Sequence, residues 1–212
     1  MIKDLRDFRE NYTLGELLEK YADDHPFQQF SFWLDEYQKA CQSEVNAMTL
    51  VTQSKVGPVP RVVLLKQLDA RGFVFYTNYN SRKSLDMQND PRVGLLFFWP
   101  ELQRQVRVQG VVERVSEEES NAYFASRPRE SRLGAWGSPQ SEEIASREIL
   151  EERYREAVAR FEGQEVPRPE HWGGYRVLPS VMEFWQGRPS RLHDRLEYVL
   201  DNGEWKRHRL AP

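Results

Sequence analysis

The sequence has a single cysteine, Cys41, in 212 residues. No intrachain disulfide can form, and a cysteine-rich zinc site is excluded. Such sparing use of cysteine suits a reducing cytoplasm. There is no basic excess either: 30 Lys and Arg stand against 33 Asp and Glu, for a net charge of −3. A broad nucleic-acid footprint would need the opposite balance, so any anion binding must come from local clusters. Long hydrophobic runs are missing. The longest, Val93 to Trp99, is interrupted by Gly94 and is far too short to span a bilayer. The first residues, MIKDLRDFRENYTLGEL, are charged and lack an apolar segment, so no signal peptide is expected. No GxGxxG or GxxxxGK[ST] occurs, which removes the Rossmann fingerprint and the P-loop. No internal repeat or low-complexity tract is evident.

What remains is an ordinary globular composition, 39% hydrophobic and 30% charged. The length is enough for a sizeable core and fits one domain over residues 1–212. Residues 1–45 read as a helical N-terminal arm packed on a β body that spans 46–212. Within the arm, Thr13 and Glu16 have capping-box spacing. A second helix begins near Pro26, with Phe30, Trp33, Leu34, Tyr37 and Cys41 on its apolar face. Cys41 is expected to be buried and inert. From Ala47 the pattern is β: AMTLVTQ, RVVLLKQL, FVFYTN, RVGLLFFW and RQVRVQGVVERV are rich in branched and aromatic residues. Turns are expected at 54–60, 69–72 and 99–103. Short helices are expected over 81–89 and, capped by Ser116 and Glu119, up to Arg127. Residues 127–143 read as a polar loop. Ser146 should then cap a helix to Phe161, with Ile149, Leu150, Tyr154 and Val158 inward. Three closing strands follow, the last two joined by Asp201-Asn202-Gly203. The sum is a mainly β (α+β) chain with an antiparallel barrel or sandwich and peripheral helices.

Several polar clusters interrupt this pattern. Asn78 to Ser84 (NYNSRKS) places Arg82 and Lys83 at a helix start, where unpaired N–H groups and the dipole favour anions. On this segment alone an ordinary solvated helix start is the stronger reading, because Ser-Arg-Lys is common. Lys66 closes the apolar strand RVVLLK, where a charge beside a buried face needs a partner, either a ligand phosphate or a carboxylate. Tyr123, Arg127, Arg129 and Ser131 gather hydroxyls and planar guanidinium forks at a helix end, although cations there also balance the dipole. Gln105, Arg107 and Gln109 share one strand face. Finally RLHDR, residues 191–195, packs two arginines, a histidine and an aspartate into five positions. His193 has no second histidine at metal-ligand spacing, so no metal site is expected. His25, His171 and His208 are expected to be structural. Basic clusters on strand ends and loops, without net positive charge, favour one or two small phosphorylated ligands.

The stretches RVVLLK, GFVFYTNYNSRK, NDPRVGLLFFWPELQRQVRVQG, YFASRPRESRLGAW, SPQS, HWGGYRV, EFWQGRPSRLHDR and the final RLAP occur in the same order as in the pyridoxine/pyridoxamine 5′-phosphate oxidase family, which the chain resembles over nearly its whole length. EFWQG with RLHDR is the most specific of these. The resemblance implies an FMN-binding split β-barrel working as a homodimer with flavin between subunits. It implies oxidation of pyridoxamine or pyridoxine 5′-phosphate to pyridoxal 5′-phosphate, with dioxygen as acceptor and hydrogen peroxide as product. Position by position, Arg61, Lys66, Tyr76, Thr77, Arg82, Lys83, Gln105, Gln140, Ser141, Trp185 and Arg195 resemble the family's flavin contacts. Lys66, Tyr123, Arg127 and Ser131 resemble the holders of the substrate phosphate. Arg191 and His193 resemble the residues that cover the substrate ring and serve as its catalytic pair. Arg9 to Tyr12 falls where the family has a mobile arm, although Glu10 and Asn11 depart from its more basic pattern. A flavin oxidase of the same fold acting on another substrate, as in phenazine biosynthesis, and a non-catalytic flavin-binding barrel are the alternatives.

Overall fold

The computed structural model describes residues 4, 6–7, 10–41 and 44–212; Arg9 lies outside them. The expected mainly β architecture with peripheral helices is what forms. The strands are β1 (Ala47–Ser54), β2 (Gly57–Leu64), β3 (Gln67–Leu68), β4 (Phe73–Asn78), β5 (Arg92–Trp99), β6 (Arg104–Arg114), β7 (Trp172–Gln186), β8 (Asp194–Asp201) and β9 (Glu204–Leu210). The helices are α1 (Pro26–Ala40), α2 (Arg82–Asn89), α3 (Glu117–Ser126), α4 (Arg129–Gly137) and α5 (Arg147–Arg160). The hydrogen-bonded strand order is β2-β1-β5-β6-β7-β4-β3, with β8 on β7 and β9 on β8. None of the described helices is long and apolar enough to cross a membrane.

The chain resolves into two compact units, 1–49 with 94–109 and 179–212, and 50–93 with 110–178. In the first, α1 buries Phe30, Trp33 and Tyr37. Phe30 meets Phe97 at 4.8 Å, Trp33 meets Phe184 at 5.3 Å and Tyr37 stacks on Trp99 at 5.4 Å. The later half of β7 pairs antiparallel with β8, from Val181 opposite Val199 to Gln186 opposite Asp194. The β8–β9 hairpin turns at Asn202 and Gly203, both with positive φ (51° and 86°). That geometry follows the right-handed twist of the strands, and Asn-Gly adopts it at little cost. In the second unit the early half of β7 pairs with β4, Tyr76 lying opposite Gly174 and Asn78 opposite Trp172. Beneath them Phe124, Leu133, Ala157, Phe161, Val166 and Trp172 form an apolar cluster.

Five sequence expectations are corrected. Thr13 and Glu16 cap no helix. The backbone N–H groups of Thr13 and Leu14 donate instead to Gln103 Oε1, and that of Leu17 donates to Asp194 Oδ2, so partners distant in sequence replace the helical ladder. The turn expected over 54–60 is shorter, because β2 already starts at Gly57; as an edge strand it tolerates Pro58 and Pro60. The polar loop after Arg127 contains α4, whose Leu133 is buried. In α5, Ile149 and Val158 are exposed, and the inward residue is Ala157, with Leu150 and Tyr154 half-buried. Cys41 is only partly buried, its Sγ lying 3.8 Å from Glu101 Oε1. The capping box of Ser116 and Glu119, by contrast, forms in full at α3.

Candidate active site

In the second unit, β2, β4, α3 and α4 line an open cavity of roughly 660 Å³. Lys66, Tyr76, Thr77, Lys83, Tyr123, Arg127, Ser131 and Gln140 all line it, so most of the residues singled out by sequence there meet in one place. Lys66 reaches it from beyond the end of β2. It is exposed, so the buried charge expected there does not arise and needs no partner. Among the described residues lining the cavity, Lys66, Lys83 and Arg127 are cationic and none is a carboxylate.

Lys83 sits in the first turn of α2, where the chain leaves β4. Its Nζ donates to Thr77 Oγ1 and Ser81 Oγ, both at 3.1 Å, and to Gln140 Oε1 at 3.4 Å. These acceptors are all neutral. Burial, and then the nearby Arg61 guanidinium, push the Lys83 pKa down to about 8. Arg61 is held by the Leu50 carbonyl at 3.2 Å and lies 3.8 Å from Asp86. Its own pKa is lowered by burial, which outweighs that carboxylate. Arg82 is exposed at the start of α2, and Ser141 carries an unusual positive φ of 74°. Neither lines the cavity.

Arg127 follows α3. Its guanidinium carbon lies 4.7 Å from the Trp172 ring centroid and 5.5 Å from that of Phe124. Burial lowers its pKa, and its Nη1 is buried with no hydrogen-bond partner among the described residues. A desolvated, unsatisfied cationic donor is costly unless something absent from the bare chain completes it. Next to it Tyr76 stacks on Tyr123 at 3.9 Å and on Trp172 at 5.5 Å, the rings tilted by only 17° and 10°. Burial drives the Tyr76 pKa up to about 12. Gly174, opposite Tyr76 in the ladder, makes this stack sterically feasible. A Cβ there would lie 2.6 Å from Val115 Cγ2 and 2.7 Å from Tyr76 Cε1. Trp172 was not singled out from the sequence. Its role depends on cross-strand register, which one strand's pattern does not reveal.

The remaining candidates lie in the first unit. His193 packs on Trp185 at 4.6 Å, and Tyr12 meets both rings at 5.9 Å. His193 Nδ1 accepts the Arg188 backbone N–H at 3.1 Å. The neutral ring therefore carries its proton on Nε2, which remains a donor. Burial, then Arg191, lower the His193 pKa, favouring that neutral form. Ser190 and Arg191 both hold left-handed backbone, φ 56° and 61°. Two such non-glycine residues in a row are strained and need surroundings that impose them. A cavity of about 370 Å³ is lined by Tyr12, Arg188, Ser190, Arg191 and His193, together with Glu10 and Asn11. Arg195 is engaged elsewhere. Its Nε and Nη2 grip the buried Glu183 carboxylate at 3.1 and 3.0 Å, and Nη1 donates to the Ala211 carbonyl. Arg107 binds the same carboxylate. Gln105 is half-buried on β6, with Val106 and Val108 facing the core. Tyr12, Arg188 and Asp194 are the residues here that the sequence did not mark out individually, since they meet only in the folded chain. The described residues include no cluster of metal-binding side chains.

Comparison with known proteins gives a consistent answer. A family profile described as pyridoxamine 5′-phosphate oxidase matches residues 34–160, and one described as the pyridoxine 5′-phosphate oxidase C-terminal dimerisation region matches 172–212. Proteins named pyridoxine/pyridoxamine 5′-phosphate oxidase include one from Trichormus variabilis, 55% identical over 100% of both chains, and one from Synechocystis, 56% identical over 98% of both. Among solved structures, PhzG from Burkholderia lata, in complex with tetrahydrophenazine-1-carboxylic acid, superposes with a TM-score of 0.86. It is 30% identical, over 92% of this chain and 98% of that one. With identity this high over the full length and a matching split-barrel fold, the chain belongs to the pyridoxine/pyridoxamine 5′-phosphate oxidase family of oxidoreductases.

Proposed function

We propose that this chain is an FMN-dependent oxidase that converts pyridoxamine and pyridoxine 5′-phosphates to pyridoxal 5′-phosphate, releasing ammonia from the amine. The observation that carries the reading is the second unit's cavity, which among the described residues has three cations, no carboxylate and an Arg127 Nη1 without a hydrogen-bond partner. Such a lining suits phosphorylated ligands, and both the vitamer and FMN are phosphate monoesters. Bound FMN supplies a two-electron acceptor that dioxygen regenerates, with hydrogen peroxide as by-product.

Lys83, with Arg61 and Arg82, would hold the flavin phosphate, while Thr77, Gln140, Ser141, Tyr76 and Gln105 would bind elsewhere on the cofactor. Lys66, Tyr123, Arg127 and Ser131 would anchor the substrate phosphate. A remote anchor of this kind converts binding energy into alignment of the reacting carbon. Arg191 and His193 would cover the substrate ring. His193, whose neutral ring carries its proton on Nε2 because Nδ1 accepts the Arg188 N–H, is suited to donate a hydrogen bond there rather than act as a nucleophile. Trp185 and Arg195 would complete the flavin side. We assign the working form as a cytoplasmic homodimer with flavin between subunits, in keeping with the dimerisation region matched at 172–212. Relatives 55% identical are named for the B6 vitamers, against 30% for the phenazine-related structure, which favours the vitamer substrate.

The test is direct. The purified protein should carry or take up FMN and form pyridoxal phosphate aerobically from both substrates. A colourless protein that cannot bind added FMN would refute the reading. His193→Ala should lower turnover with flavin retained.

A further inference from the structure

The sequence RLHDR contains an aspartate, Asp194, to which the family resemblance attached no role, and Arg188 lies six residues before it. Both side chains reach the same stretch of backbone. Arg188 Nη1 donates to the Gly15 carbonyl at 2.9 Å. Asp194 Oδ2 accepts the Leu17 N–H at 3.1 Å. A donor on the C=O of residue 15 and an acceptor on the N–H of residue 17 reproduce, with side chains, the pairing a neighbouring strand would provide. Arg188 Nε and Asp194 Oδ2 are 3.6 Å apart, and Arg209 Nη1 supports Asp194 Oδ1 from β9 at 2.9 Å. Gly187 leaves room for Tyr12: a Cβ there would meet the Tyr12 ring at 2.8 Å.

We propose that Arg188 and Asp194 form a clasp that fixes the Tyr12–Leu17 segment across the His193 loop, and that they act as positioning residues for the substrate held at His193. The inference rests on the function proposed above. The clasp grips both ends of the loop containing the strained Ser190–Arg191 pair, which accounts for how that backbone is held. It seats Tyr12 against Trp185 and His193, so it acts on the substrate through Tyr12.

The test uses the full-length, flavin-loaded chain. Arg188→Met and Asp194→Ala should each lower kcat/KM roughly tenfold, the scale of one lost hydrogen bond in a pre-organised site, with flavin content unchanged. Arg188→Lys should restore part of the loss. Tyr12→Ala should produce a similar drop, and adding Arg188→Met to it should cost nothing further, because the two act in series. Amide exchange at Leu17 should speed up in both clasp variants. Additive losses in the double variant, or unchanged exchange at Leu17, would overturn the proposal. If the unmodified chain oxidises neither vitamer, the functional reading fails by itself, and the Leu17 exchange still decides for or against the clasp.

Discussion

Replacing Arg127 by Met should separate stability from binding. In the ligand-free protein Arg127 buries an Nη1 with no partner among the described residues, which costs about 1–3 kcal/mol. Its position 4.7 Å from the Trp172 centroid offsets roughly 0.5–2 kcal/mol of that cost as a cation–π contact. Met retains most of the stem's packing and removes the charge. The variant should therefore be more stable without ligand, by about 1 kcal/mol, or roughly 2–4 °C in Tm for a chain of this size. Binding should move the other way. A hydrogen bond to a charged group contributes about 1.5–3 kcal/mol, so KM for the phosphorylated vitamer should rise from about tenfold to over a hundredfold. Inorganic phosphate should raise the Tm of the unmodified protein and have a smaller effect on Arg127→Met. Thermal melts with and without phosphate, alongside steady-state kinetics, measure all three. Destabilisation of the ligand-free variant by more than about 2 kcal/mol together with an unchanged KM would refute both the orphaned-donor argument and the anchor.

Two further outcomes follow from the same cavity. The Lys83 pKa is lowered from 10.5 to about 8, so in the flavin-free protein its burial is a penalty below pH 8 that fades as pH rises towards 10.5. Lys83→Met should be the more stable form below pH 8, by an amount bounded near 3.4 kcal/mol and reduced by water access to roughly half that. Urea denaturation across that range should show the gap closing with rising pH, and a gap that widens would contradict the assigned cause. Gly174→Ala should cost about 1–3 kcal/mol through overpacking and disturb the Tyr76 stack, visible as a changed near-UV circular dichroism spectrum; an unchanged melt and spectrum would rule this out.

Local patterns carried much of this molecule. The β runs from Ala47 onward, the helix after Ser81, the capped helix after Ser116, and the Asn202–Gly203 hairpin were legible because strand alternation, capping and turn conformation depend on neighbours in sequence. The polar residues lining the second unit's cavity were legible through cation clusters and family resemblance. Tertiary structure decided the rest. Whether Thr13–Leu17 becomes a helix depended on acceptors at Gln103 and Asp194, some 90 and 177 residues away. That Lys66 needs no partner and Arg127 lacks one is a matter of burial, which no spacing reports. Trp172 joined the site because β7 pairs with β4 in one register, and Asp194 became a clasp because strand β8 brings it beside the backbone of Leu17. Sequence determined which groups could bind an anion, and the folded chain determined which of them are left unsatisfied.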